Sequence, residues 1–99
     1  MPFFYYKLNA PRATFPADIT KDEMTMMQAH VLYWTNILEM HKAVVFGPVV
    51  HPEGAFGVAI LEVQDEAEAL SLVQHDPAIL SNLGFGSEVY PMAKAIART

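Results

Sequence analysis

The chain has 99 residues, enough for one domain, and its 53% hydrophobic content supports a real core. Its formal net charge is −5 and its six Lys and Arg residues are scattered, whereas a nucleic-acid partner would need them clustered. Cysteine is absent, which excludes disulfides, thiol catalysis and thiolate metal sites.

Phe3-Phe4-Tyr5-Tyr6-Lys7-Leu8 is aromatic-rich and bounded by Pro2 and by Asn9-Ala10-Pro11, which reads as a strand. This opening run lacks a basic n-region and is shorter than a signal h-region. No stretch approaches the ~20 apolar residues of a membrane span. The expectation is therefore a cytoplasmic protein with no membrane partner. Residues 9 to 19 carry Pro11 and Pro16 and read as a loop.

Thr20-Lys21-Asp22-Glu23 fits a capping box, with Asp22 and Glu23 suited to the positive end of a helix dipole. Met24, Met27, Val31, Trp34 or Thr35, and Leu38 follow at helical spacing and form the expected apolar stripe. The helix is expected to reach His41-Lys42, where cations suit its C-terminal end. Ala43–Val50 and Ala55–Val63 are β-branched runs around His51-Pro52-Glu53-Gly54 and read as a hairpin. Val58-Ala59-Ile60-Leu61 is continuously apolar, as in a strand covered on both faces.

Asp65 can cap a second helix, with Leu70 and Val73 three apart on one face. That helix must stop near His75, because Asp76 precedes Pro77. Pro77 to Leu80 fits a short extra turn with Asp76 as its N-cap and Pro77 at its first position. Asn82 to Gly86 reads as a loop, and Glu88 opens a last strand reaching about Ile96, with Pro91 marking it as an edge strand or a bulge. The order β-α-β-β-α-β is the ferredoxin-like split motif, an α+β fold with an antiparallel four-stranded sheet. Both helices would cover one face of the sheet, so the other face calls for a second subunit and a homodimer is expected.

The chemistry-bearing residues are few. His30 borders the helical stripe and reads either as a partly buried His satisfied by a backbone carbonyl or as a general acid or base. Asp76 reads as a cap, as the orienting partner of a His, or as both, since a carboxylate has several acceptor sites. Trp34, Tyr5 and Tyr90 either line an aromatic pocket or fill core and interface. Gly47-Pro48 ends a strand or meets a ligand. The six Met residues read first as core filler. His30 and His41 would stand about 16 Å apart on one helix at 1.5 Å per residue, so no metal is expected. Gly84-Phe85-Gly86 lacks the third glycine of a phosphate loop, and no cofactor is expected.

His30-Val31-Leu32, Phe46-Gly47-Pro48, Val58 to Val63, Asp65-Glu66-Ala67-Glu68-Ala69, His75-Asp76-Pro77 and Val89-Tyr90-Pro91 occur in an order that resembles the YCII-related (YciI-like) family over residues 24–93. The resemblance implies one YCII-like domain over 1–99, a dimeric α+β barrel and a suspected site that pairs His30 with Asp76. One characterised member type removes chloride from a chlorinated hydroxyhydroquinone. The chain departs from the family pattern at Met27, where many members have Arg, at His41, where Gly commonly closes the helix, and at Ala78, where an aromatic residue is frequent. Arg12, in the preceding loop, is the candidate to replace the missing Arg.

The functional expectation is a cofactor-independent lyase, dehydrochlorinase-like or isomerase-like, acting on a small cyclic or aromatic hydroxylated compound. His30 would move the proton and Asp76 would orient it, while Trp34, Arg12, Tyr5, Gly47 and Pro48 would bind substrate. The alternatives are a non-catalytic small-molecule-binding dimer and a cofactorless monooxygenase on the same barrel, since fold does not fix function.

Overall fold

A computed structural model describes residues 1–98; Thr99, the last residue of the expected domain, lies outside the described residues. The elements in chain order are β1 (Phe3–Asn9), α1 (Lys21–Glu39), β2 (Ala43–Val49), β3 (Phe56–Glu62), α2 (Glu66–Gln74), α3 (Pro77–Leu80) and β4 (Gly86–Pro91). The strands form one antiparallel sheet in the order β2-β3-β1-β4, the ferredoxin-like arrangement expected of a split βαβ chain. Among the described residues, no helix is long and apolar enough to cross a membrane.

Alternation in β1 sets the two faces of the sheet. Phe4, Tyr6 and Leu8 are buried under the helices with Ala59 and Leu61 of β3. Phe3, Tyr5 and Lys7 point the other way, with Val58 and Ile60. The run Val58 to Leu61 is therefore covered on one face only within a single chain. The register places Val45, Ile60, Tyr5 and Tyr90 opposite one another in a row across all four strands. Val45 is 54% exposed and Tyr90 52%. This face of the sheet therefore carries a row of four large apolar or aromatic residues, two of them half-buried.

The capping box at the start of α1 is present in full. Thr20 Oγ1 accepts the Glu23 amide at 3.1 Å, and Glu23 Oε1 accepts the Thr20 amide at 2.9 Å. The buried stripe of α1 differs from the expected one. Met26, Trp34 and Ile37 are buried, whereas Met24 and Val31 are each 50% exposed and Leu38 is at the surface. Glu23 lies on the same buried side and meets Arg12 there. The helix also ends earlier than expected, at Glu39, with no basic residue in its last turn. His41 follows with φ of 62°, the left-handed position that usually closes a helix with Gly. His41 thus lies outside the helix that carries His30.

In α2, Asp65 caps as expected, accepting the Glu68 amide at 2.9 Å. Its buried residues are Ala69 and Val73, four apart, rather than Leu70 and Val73. The last strand starts at Gly86 and stops at Pro91, short of Ile96; the Met92 amide still donates to the Phe3 carbonyl at 2.9 Å, and the ladder ends there because β1 begins at Phe3. It is an edge strand, where Pro is tolerated.

Candidate active site

Asp76 organises the candidate site. It sits at the junction of α2 and α3, is fully buried at 0% exposure, and accepts four hydrogen bonds. Oδ1 takes the Ala78 amide at 2.8 Å, the N-cap bond that the Asp-Pro pair imposes. Oδ1 also lies 2.8 Å from His30 Nδ1. Oδ2 takes the Tyr6 hydroxyl at 2.8 Å and the Trp34 indole N–H at 2.9 Å. His30 and Trp34 are one helical turn apart on α1, so both reach the carboxylate from the same face. Tyr6 comes from the central strand β1. Three separate segments therefore converge on one buried anion, and each of its acceptor directions is used.

The electrostatics fix the protonation of this cluster. Burial alone pushes the Asp76 carboxyl up. The hydrogen bond and charge of His30, then Trp34 and the Ala78 amide, outweigh burial and hold it below the ordinary carboxylate value. Burial, and next the Asp76 charge, push the Tyr6 phenol well above its ordinary value, so it stays a donor. An ionised carboxylate only accepts, so the proton between His30 and Asp76 belongs to Nδ1 of the imidazole. In the neutral ring this leaves the lone pair on Nε2.

His30 lines a cavity of about 300 Å³ between α1, the 10–20 loop and the sheet. Phe15 and Ile19 come from the loop, Met27 and Val31 from α1, and Phe46, Gly47 and Pro48 from β2. No charged side chain lines it. Of the lining side chains only Tyr6, His30 and Trp34 carry nitrogen or oxygen. Tyr6 and Trp34 spend theirs on Asp76. Among the described residues, His30 Nε2 is the side-chain polar atom left to serve the cavity. His30 is 12% exposed, so the ring is screened from bulk water but reachable from the cavity.

The remaining candidates divide. Trp34, Gly47 and Pro48 line the cavity with His30. Arg12 does not. It is held by Glu23, with Nη1–Oε2 at 2.7 Å and Nη2–Oε1 at 2.8 Å, and by Asp18, with Nε–Oδ1 at 2.9 Å. This bidentate clamp fastens the loop that carries Phe15 to the start of α1, so Arg12 supports the cavity roof from outside. Tyr5 is also apart from the cavity: it faces the open side of the sheet, its ring centroid 6.4 Å from that of Tyr90. Its neighbour Tyr6 is the tyrosine that lines the cavity. The signal was Lys7, which must face water; Tyr5 shares its parity, so Tyr6 faces the core. Phe15 and Phe46 also line the cavity; a lone aromatic residue in a loop, or in the middle of an edge strand such as β2, carries no signal of the side it faces. Among the described residues, no three His, Asp or Glu side chains gather as a metal site would require.

Comparison with known proteins follows the same lines. No curated protein matches the chain. A solved structure of 5-chloro-2-hydroxyhydroquinone dehydrochlorinase from Burkholderia phenoliruptrix AC1100, in complex with 2,5-dihydroxybenzoquinone, superposes with a TM-score of 0.68. The two are 20% identical, and the match covers 96% of each chain, which establishes a shared fold. The model of the YCII-related domain matches residues 1–93, nearly the entire chain and both motifs that bring His30 to Asp76, and the chain belongs to that family.

Proposed function

We propose that the cavity at His30 is the active site of a cofactor-independent enzyme, of lyase or isomerase type, acting on a small hydroxylated ring. The observation that carries this reading is the His30–Asp76 contact at 2.8 Å beside an otherwise apolar cavity. Asp76 keeps the proton on Nδ1 and steadies the imidazolium that forms when Nε2 takes a second one. The substrate hydroxyl gives that proton to Nε2. Its O–H electron pair forms a C=O bond while the displaced ring pair takes up a proton on carbon, a double-bond shift; where that carbon carries chloride, loss of a second hydroxyl proton forms a second C=O and expels the chloride with its bonding pair, a net loss of HCl. The proton then returns to solvent, or to a different atom of the product. The dehydrochlorination named for the structural neighbour is a reaction of this form, and a chlorinated hydroxyquinol is the first substrate to try.

Turnover of chlorinated and unchlorinated hydroxyquinols by wild type and His30→Ala tests the reading. A loss of about 10²-fold or more in His30→Ala is expected for a general base. Unchanged turnover in the variant overturns the mechanism. Oxygen consumption during turnover would assign the site to monooxygenase chemistry instead.

The second reading is a binding site without catalysis. It is favoured by Met27, which lines the cavity where a cationic side chain would be expected to steady a departing anion. Ligand binding with no product from any ring tested would select it.

We also propose a homodimer closed through the open face of the sheet. Its support is the row Val45, Ile60, Tyr5 and Tyr90, which one chain leaves uncovered.

A further inference from the structure

The two oxygens of Asp76 face different partners. Oδ1 meets His30 Nδ1 and the Ala78 amide, while Oδ2 takes the Tyr6 hydroxyl at 2.8 Å and the Trp34 indole N–H at 2.9 Å. We infer that Tyr6 is a positioning residue that sets the pH range of the site: by donating to Oδ2 it draws charge from Asp76 and so weakens the hold of Asp76 on the His30 imidazolium. This rests on the reading of His30 as the base, and it concerns how strong a base it is.

The need for such a residue follows from the chemistry. A base that takes a proton from a hydroxyl must give it up again, so its proton affinity has to match the working pH. A buried anion against Nδ1, screened from water, would stabilise the imidazolium and trap the base in that form. A carboxylate shares one negative charge over two oxygens, so each donor on Oδ2 lowers the charge left on Oδ1. Asp76 is at 0% exposure, where water does not compete with these donors. Burial, and next the Asp76 charge, raise the Tyr6 phenol well above its ordinary value. The hydroxyl therefore stays a donor throughout the range in which imidazoles titrate.

Few other groups around His30 change charge with pH. Asp76 comes from the junction of α2 and α3, and Tyr6 from β1. Tyr33, on α1, donates to the Leu72 carbonyl, and burial followed by the Asp76 charge raises its phenol as well. His75, next to Asp76 in the chain, is exposed and has its Nδ1 on the Ser71 carbonyl. Glu23 stands about two turns from His30 on α1 and is paired with Arg12. The walls that the 10–20 loop, β2 and β3 turn to the cavity carry no titratable side chain. Tyr6 is thus a side chain whose donation can be changed without adding or removing a charge.

Two changes at Tyr6 test this in opposite directions. Tyr6→Phe removes the donor and keeps the ring. Incorporation of 3-fluorotyrosine in place of Tyr6 keeps ring and bond, and makes the hydroxyl a stronger donor. Heteronuclear NMR titration of the His30 imidazole, with its signals assigned by their absence from His30→Ala, reads its proton affinity without substrate. The pH profile of kcat/KM with a chlorinated hydroxyquinol reads the same base at work. Tyr6→Phe is expected to move the His30 midpoint and the acid limb of kcat/KM up together, by roughly half to one pH unit, and 3-fluorotyrosine to move both down. Because 3-fluorotyrosine preserves the bond to Asp76, it decides the question even where Tyr6→Phe unfolds. A midpoint that stays in place in both proteins, or moves the same way in both, overturns the proposal; the base reading stands as long as the acid limb tracks His30. A midpoint that moves while the acid limb stays overturns the base reading and the proposal with it.

Discussion

The Tyr6 hydroxyl donates to Asp76 Oδ2 at 2.8 Å across a separation of 70 residues. That bond ties the central strand of the sheet to the junction of α2 and α3, on the atom that also holds the Trp34 indole. It helps to bury the carboxylate, whose ionisation is held by His30, Trp34 and the Ala78 amide.

Removing the hydroxyl while keeping the ring isolates that bond. Tyr6→Phe is expected to lower stability by about 1.5–3 kcal/mol, the range for hydrogen bonds to charged groups. Asp76→Asn should cost more, on the order of 3 kcal/mol. Its amide NH₂ cannot accept from the donors of both oxygens, and the protein loses a buried anion with four partners. Urea denaturation with an unchanged m-value measures both. A Tyr6→Phe cost near zero would show that the hydroxyl is satisfied equally well by water.

Acid sensitivity follows from Glu23. The hydrogen bonds from Arg12, and next the Thr20 amide, pull its carboxyl from an ordinary 4.5 down to about 2. A depressed folded-state pKa means that the stabilisation is fully present above pH about 4.5 and is lost as pH falls towards about 2. Asp76, also depressed, acts in the same direction. The melting temperature of wild type is expected to drop across that window. Glu23→Gln, which cannot titrate, should start lower at neutral pH and lose less on acidification. Parallel curves for the two proteins would exclude Glu23 as a source of the acid loss.

His41 offers a gain in stability. At φ of 62° its Cβ crowds the backbone in a way that Gly avoids. His41→Gly relieves that strain at the cost of extra freedom in the unfolded chain. A net stabilisation of about 0.5–1 kcal/mol is expected, read as a higher melting temperature. A lower melting temperature would mean that the imidazole makes a compensating contact.

The open face of the sheet predicts the assembly. Sedimentation at micromolar concentration is expected to give twice the 11.0 kDa chain mass. Ile60 lies between Tyr5 and Val45 in the apolar row, so Ile60→Lys places a charge in the middle of the buried patch and should yield monomers. A wild-type monomer at that concentration would sink the proposed dimer.

Local chemistry carried much of this protein in its sequence. The capping box at Thr20, the cap of Asp65, and the turn that Asp76 and Pro77 open are decided within four residues of chain, and each stands where the residues place it. The β-α-β-β-α-β order and the edge position of the strand with Pro91 follow from periodicity and from a missing amide, which are equally local. Three things required the folded chain. One is the rotation of α1, which buries Met26, Trp34 and Ile37 and leaves Met24 and Val31 at the surface, because Trp34 and His30 both reach Asp76 from that side. Another is the assignment of Tyr6 to the site and Tyr5 to the open face, which depends on which side of the sheet the helices cover. The last is the environment of His30. The family resemblance brought His30 and Asp76 to notice as a pair, but only three segments packed together could bury the carboxylate, occupy both its oxygens and leave one ring nitrogen to the cavity. A hydrogen bond between distant segments depends on distances that no local pattern encodes, so the candidate site belongs to the tertiary structure.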